Sequence, residues 1–480
     1  ITISILNKGI YFSVTLTMVL VGTVYGWATT SLLHLTSGTG GVPLTLTKDE
    51  SSWIVSLTVF GSMMGSLVGA RLADRNGRKF CLLLCCAIFT FGWVIIYTAT
   101  SVPNIYIARV ILGVGVGIAY TVNPMYVSEV ADTNIRGAVG TLISVNVFTG
   151  SLITCILGLL LTYNSLLLFL VIISFIFFLT NTCLPETPYF LMLKDRKKQA
   201  CKSITYYKGI LRPPSKSELR SQSKSELRPP SKSELRVTQQ TLLGKLRALL
   251  QRKNKKALFI MLGLIMAQQL SGNFITTQYL EVLFSNTTIG IEPNIATILV
   301  LAVGLISGIL STLTVESLGR RTLLILSTLG SCFTLFVLAT YLLLVQHKFD
   351  VSSVSILPVI DLIIYQVIYQ IGLGTLPNVL LCELFPAELK GFIGAITVIF
   401  DGIVGFTVSK MYQVITDYVG SFAIYFIFAT SCSLAFLMVF ECLPETKGKT
   451  YQEIEALLVG KNLNSLTEEV NIDETDVRTI

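Results

Sequence analysis

Apolar residues in this chain gather into runs of about twenty, divided by short stretches rich in Gly, Pro and charge. A helix rises 1.5 Å per residue, so about 20 residues cross the ~30 Å of a bilayer's hydrocarbon. The runs cover residues 10–33, 53–73, 80–100, 105–127, 138–161, 165–184, 257–284, 294–314, 322–345, 356–382, 392–415 and 421–443. They are continuous rather than alternating. That pattern predicts helices, which satisfy every backbone group within themselves, and excludes a transmembrane β-barrel. The expected fold class is an all-α membrane protein of twelve transmembrane helices.

Composition agrees. The chain is 52% hydrophobic and 13% charged, with a mean hydropathy of +0.70, against roughly 25% charged residues in a soluble domain. Alternate connections carry the cations: Arg75, Arg78 and Lys79, then Arg136, the long middle segment, Arg320 and Arg321, and Lys390. Short cytoplasmic loops collect Lys and Arg. The expected topology therefore puts these connections and both termini in the cytoplasm, and the expected location is the plasma membrane. The first run is too long for a cleavable signal peptide and has no small-residue cleavage site.

Three signals repeat in order. "ADRNGRK" (Ala73–Lys79) returns as "VESLGRR" (Val315–Arg321), "SEVADTNIRG" (Ser128–Gly137) as "CELFPAELKG" (Cys382–Gly391), and "CLPET" occurs at Cys183 and at Cys442. A doubled chain of this kind is built as two six-helix bundles, with substrate held between them near the midplane. The expected organisation is a bundle over 1–184, a cytoplasmic linker over 185–256, a second bundle over 257–443 and a tail over 444–480.

The linker holds "SKSELR" three times at an eight-residue period, and residues 186–256 carry 19 Lys or Arg against 5 acids. Its charge suits anionic lipid at the membrane surface. No nucleic-acid reading module accompanies it. Arg212-Pro-Pro-Ser215 and Arg228-Pro-Pro-Ser231 have the form of basic-directed phosphorylation sites, although a solvated linker tolerates tandem expansion without any such role. The ten cysteines avoid the outer loops, so disulfides are not expected. His34 and His347 are too far apart in topology for a metal site, and no cofactor motif appears. Asn286-Thr287-Thr288 is a candidate glycosylation acceptor.

Individual positions carry chemistry. Gly61, Gly65 and Gly69 form a small-residue face for close helix approach in lipid. Gly113, Gly115 and Gly117 lie within an apolar helix with no preceding strand, so they are not a dinucleotide loop; they are expected to thin the helix for sliding. Arg109 is an intramembrane charge and calls for a partner or a function. Glu129, Glu316 and Glu383 accompany the loop cations, and topology alone does not require acids there.

With these residues in view, the chain resembles the sugar-porter branch of the major facilitator superfamily over about residues 10–458. The strings that carry the resemblance are "GARLADRNGRK", "RVILGVGVGIAYTVNPMYVSEVADTNIRG", "PETPYFL", "QQLSG", "VESLGRR", "ELFPAELKG" and "PETKGKT". The wording "YTVNPMYVSEV" is most similar to the insect branch that includes facilitated trehalose transporters. The resemblance implies a major facilitator fold and a small neutral sugar as substrate. It implies a gating charge network of Asp74, Arg75, Arg78, Lys79, Glu129 and Arg136 in the first half and Glu316, Arg320, Arg321, Glu383 and Lys390 in the second. It assigns Gln268 and Gln269 to sugar hydroxyls and puts Tyr279 near an outer gate.

Departures from the family pattern are concentrated at the sugar positions. Ser144 replaces a Gln, Phe274 an Asn (with Asn273 beside it), Gly304 an Asn, Asn378 a ring-stacking Trp and Asp401 an Asn. Proton-driven relatives carry an Asp in the first span where this chain has Ala28. The expected function is facilitative uniport, with proton symport through Asp401 and a non-transporting sugar sensor as alternatives. Asp401 could carry a proton, or its cost in the membrane could equally be offset by a partner such as Asn378 or a buried Tyr.

Overall fold

A computed structural model of the chain describes residues 15–38, 44–130, 136–208, 244, 247, 249, 251–285, 292–349, 356–385, 387–449 and 451–459. The SKSELR repeats, Ser215, Ser231, Asn286 and the tail beyond 459 lie outside the described residues. The first half contains α1 (Thr17–Ser37), α2 (Lys48–Asn76), α3 (Arg78–Tyr97), α4 (Val102–Val130), α5 (Arg136–Leu160) and α6 (Tyr163–Cys183), followed by short α7 (Pro188–Leu193) and α8 (Lys197–Lys208). The second half contains α9 (Arg252–Leu270), α10 (Asn273–Gln278), α11 (Leu280–Ser285), α12 (Pro293–Leu318), α13 (Arg320–Gln346), α14 (Leu357–Ile371), α15 (Leu376–Leu384), α16 (Ala387–Tyr418) and α17 (Ser421–Cys442), then α18 (Tyr451–Val459). Twelve described stretches are long and apolar enough to cross a membrane.

The doubling seen in the sequence recurs in the packing. In the first half α1 packs on α5, α2 on α4, and α3 on both α4 and α6. In the second half α9 packs on α16, α12 on α14, and α13 on both α14 and α17. The halves meet along two seams, α2 against α16 and α5 against α12. Large apolar side chains such as Leu313, Phe333 and Leu434 point outward. In water such a surface would aggregate; in hydrocarbon it is the expected solvent-facing surface.

Small residues set the closest approach. A Cβ at Gly61 or Gly65 would collide with the α4 backbone at Val110 or Val114, and one at Gly113 or Gly117 with the α2 carbonyls of Thr58 or Ser62. The glycines of α4 therefore seat two backbones against each other. They do not provide the clearance for sliding that the sequence suggested. Gly115 instead faces the Phe89 ring of α3.

Two runs read as unbroken spans are interrupted. Residues 257–284 divide into α9, α10 and α11 around Gly272, whose φ of +76° is a left-handed value that suits glycine. Residues 356–382 divide into α14 and α15 across Gly372–Thr375. Backbone groups freed within a membrane need new partners, and side chains from other helices supply them. Tyr365 donates to Ser271 O at 3.0 Å, Ser311 to Ile371 O at 3.1 Å and Ser144 to Gly374 O at 3.2 Å, while Ser327 Oγ accepts from Leu373 N at 2.9 Å.

Two glycines explain the repeated Gly-Arg. Gly77 (φ +103°) and Gly319 (φ +85°) turn the chain between α2 and α3 and between α12 and α13. A Cβ at either would strike the carboxylate of Glu186 or Glu445. Seating at the α2–α4 seam predicts that Gly65→Ala lowers stability by about 1–3 kcal/mol through overpacking. Gly394→Ala, whose Cβ would meet its nearest atom at 3.7 Å, should change it little. Thermal unfolding of the purified variants in detergent checks the contrast.

Candidate functional site

Between the halves lies a cavity of about 190 Å³. The first half contributes Tyr25, Thr58, Ser62, Tyr120, Ser144, Phe148 and Ser151; the second contributes Gln268, Gln269, Asn273, Phe274, Gln278, Tyr369, Gln370, Asn378, Thr397 and Asp401. The breaks at Gly272 and Gly372–Thr375 border it, because a continuous helix would hold Asn273 and Asn378 in a different register. Contacts between halves lie on both sides of the cavity. Toward the end bearing Arg78 and Arg320, Thr141 donates to Thr312 at 2.7 Å. Toward the opposite end, Thr29 donates to Thr277 O at 3.2 Å, Tyr25 meets Phe274 edge-on at 5.5 Å, and Lys410 lies 3.8 Å over the Trp53 ring. Tyr279 is also on that side, stacked on Tyr412 at 5.6 Å.

All seven side chains singled out from the sequence for substrate contact line this cavity. Their partners differ from expectation. Gln269 Nε2 donates to Asp401 Oδ1 at 2.6 Å, so the amide, rather than Asn378 or a tyrosine, is the hydrogen-bond partner of the carboxylate. Asn273 Nδ2 is engaged with Gln366 Oε1 at 2.8 Å. Ser144 spans the halves to reach Gly374. Gly304 does not line the cavity; it lies against Phe148 and Gln366. Tyr25, Tyr120, Gln278, Tyr369 and Gln370 were missed by sequence reasoning. Helical spacing from Gln268 and from Asn378 was the available signal for some of them, but the helix breaks obscure it.

At the Arg78 and Arg320 end, each half carries the same cradle. Arg78 pairs with Glu129 at 2.7 Å and donates from Nη1 to Ala73 O at 2.8 Å; the other Glu129 oxygen accepts from Thr187 at 2.6 Å. Glu186 accepts the backbone N–H of Arg78 and Lys79 at the start of α3. In the second half Arg320 pairs with Glu383 at 2.8 Å and donates to Val315 O at 3.1 Å; Glu383 accepts from Thr446 at 2.7 Å, and Glu445 accepts the N–H of Arg320 and Arg321. The repeated Pro-Glu-Thr thus supplies one carboxylate to a helix N-terminus and one hydroxyl to the ion pair. Sequence reasoning saw the repeat but did not assign Glu186, Thr187, Glu445 and Thr446 to the network. Burial raises the Glu186 carboxyl above its ordinary value, against the pull of the Thr187, Lys79 and Arg78 N–H groups and the Arg78 charge.

Other members of the expected network are placed differently. Lys79 Nζ donates to Thr182 O at 2.6 Å and Arg321 to Phe440 O at 2.6 Å, so both tie helix ends without a carboxylate. Asp74 lies near Arg78 and beside Gly391 of the other half. Arg75 is exposed. The side chains of Arg136, Glu316 and Lys390 lie outside the described residues. Arg109, in α4, is buried; it donates to the carbonyls of Ile54 and Val24 at 3.1 Å each and stands 5.2 Å over the Trp27 ring. Its partners are therefore carbonyl oxygens and an aromatic face.

A family model described as "Sugar (and other) transporter" matches residues 14–458. The chain belongs to this sugar transporter family. It is 30% identical over 449 residues to the facilitated trehalose transporter Tret1 of Bombyx mori, covering 94% of this chain and 86% of the relative. It is 29% identical over 415 residues to that of Apis mellifera ligustica, covering 86% and 81%. Among solved structures it resembles the proton:xylose symporter XylE bound to 6-bromo-6-deoxy-D-glucose, with a TM-score of 0.75 at 24% identity over 94% of this chain and 100% of that one. An inward-open XylE from E. coli gives 0.68 at 22% identity, covering 94% and 99%. The fold is that of the major facilitator superfamily, and the protein is a multi-pass sugar transporter, not an enzyme.

In this transporter the Arg78 and Glu129 side chains are 4% and 8% exposed. Breaking one partner of a buried pair leaves an uncompensated charge, a cost of about 3–5 kcal/mol. Arg78→Met should therefore lower the unfolding temperature sharply. Arg75→Ala, at an exposed position, should stay within roughly 0.5 kcal/mol of the parent. Thermal unfolding in the same detergent compares them.

Proposed function

We propose that the protein carries a neutral sugar, such as trehalose or a hexose, down its gradient by alternating access. The observation that carries this reading is the cavity shared by both halves and lined with amides. Gln268, Gln269, Asn273, Gln278, Gln370 and Asn378 place amide side chains around this one space. Unpaired polar atoms in an apolar setting are costly, and sugar hydroxyls are donors of the right kind. Gln268, Gln269, Asn273, Asn378, Ser144 and Asp401 are the proposed polar contacts, with Phe274 as an apolar wall. Relatives named as facilitated trehalose transporters support the sugar and the uniport mode.

Uniport has a second support in α1. Ala28 occupies the position discussed for a proton-binding Asp, and Arg109 is held by carbonyls rather than by an acid. The cradles of Arg78 and Arg320 act as the gate at the cytoplasmic side, with Arg136, Glu316 and Lys390 as further members. That assignment rests on the positive-inside rule, and the plasma membrane is the proposed location. Each cradle joins helix ends within one half, so its part in gating is to keep that half rigid while contacts between halves form and break. Proton symport remains the second reading because Asp401 is an ionisable group facing the cavity.

Counterflow of radiolabelled sugar in proteoliposomes tests the proposal. Saturable exchange is expected, with no extra accumulation when a pH gradient is imposed. Gln268→Ala should slow exchange about ten- to a hundredfold, the equivalent of roughly 1.4–2.8 kcal/mol of lost hydrogen bonding. Accumulation driven by the gradient would replace uniport by symport. Complete absence of exchange would remove transport of the tested sugars.

A further inference from the structure

We propose that the cavity takes a protonated amino sugar in preference to its neutral counterpart, with Asp401 receiving the ammonium group. The inference rests on the transport reading and extends its substrate class from neutral sugars to a cationic one. Asp401 is the one acidic or basic side chain among the described residues that line the cavity. One of its oxygens takes the Gln269 amide at 2.6 Å; the other has no protein donor and is not among the buried unpaired atoms, so it faces the cavity space. Arg109, a buried cation of the first half, is turned to the Val24 and Ile54 carbonyls and does not line the cavity.

Aromatic side chains share the lining. Tyr25, Tyr120 and Tyr369 border the same space as Asp401. A carboxylate among aromatic rings is the chemistry that recognises ammonium groups, through charge pairing and attraction to the ring faces. A neutral hydroxyl gains one hydrogen bond there, whereas an ammonium gains a charge-assisted one. The rest of the lining supplies amides for the remaining hydroxyls, so the ligand is a sugar bearing an amine rather than a simple alkylamine. At about 190 Å³ the cavity is smaller than the roughly 300–1,000 Å³ of drug-sized pockets, which suits a single ring.

The test uses the full-length protein in proteoliposomes and compares exchange of D-glucosamine, N-acetyl-D-glucosamine and D-glucose. D-glucosamine should be exchanged about tenfold more effectively than D-glucose when its amine is protonated. Raising the pH on both sides to deprotonate the amine should erase that preference. N-acetyl-D-glucosamine, which keeps the nitrogen but not the charge, should show no preference over D-glucose. In Asp401→Asn the glucosamine-to-glucose ratio should fall to about one, and in Asp401→Glu it should stay above one. A parent protein that exchanges glucose but shows no pH-dependent preference for glucosamine overturns this inference and leaves sugar transport standing. An Asp401→Asn ratio equal to the parent's overturns it as well. A parent that exchanges none of the three overturns the underlying transport reading instead. Should Asp401→Asn fail to fold, the pH dependence of the parent's preference decides alone.

Discussion

A buried arginine gripped at two points holds each half of this molecule together. Its guanidinium meets a carboxylate from a neighbouring helix, Glu129 or Glu383, while its own backbone N–H meets a second carboxylate, Glu186 or Glu445. The turn before it is a glycine in the left-handed region, with no room for a side chain between turn and carboxylate. Three chain segments distant in sequence are thus joined at one point in each half. The coulombic gain alone does not offset the desolvation of two charges. The threonine hydroxyl and the carbonyl of Ala73 or Val315 complete the hydrogen bonding that makes the buried pair tolerable.

The same pressure on polar groups removed from water acts on the backbone freed by the helix breaks in the middle of the membrane. Helices are interrupted there only where serines and a tyrosine from other helices receive the freed backbone groups. Those interruptions let amide side chains turn toward the space between the halves. Gln269 donates to Asp401 across 132 positions of sequence. The cavity is therefore a by-product of local irregularity that has been stabilised from outside each broken helix.

Sequence made the spans legible because lipid imposes a minimum apolar length that few soluble segments meet. The doubling was legible because Gly-Arg and Pro-Glu-Thr recur at matched positions, each for a geometric reason that the coordinates supply. The breaks in α9–α11 and α14–α15 were not, since apolar character runs straight through them and their stabilising partners, such as Ser144 and Ser327, sit far away in the chain. Cavity-lining positions Gln268, Gln269, Asn273, Phe274 and Asn378 were found through motif likeness, while their pairings were not. Gln269 could be read locally only as a costly amide; that it would meet Asp401 depends on how α9 and α16 cross.

The two halves are mechanically unequal. α1 and α4 run without interruption, α4 even through Pro124, and α4 is seated on α2 with no intervening side chains. Their counterparts in the second half are jointed beside the cavity. A molecule entering that space meets a stiff wall on one face and articulated segments on the other. The asymmetry lies in the backbone itself, since the breaks at Gly272 and at Gly372–Thr375 have no counterpart in α1 and α4.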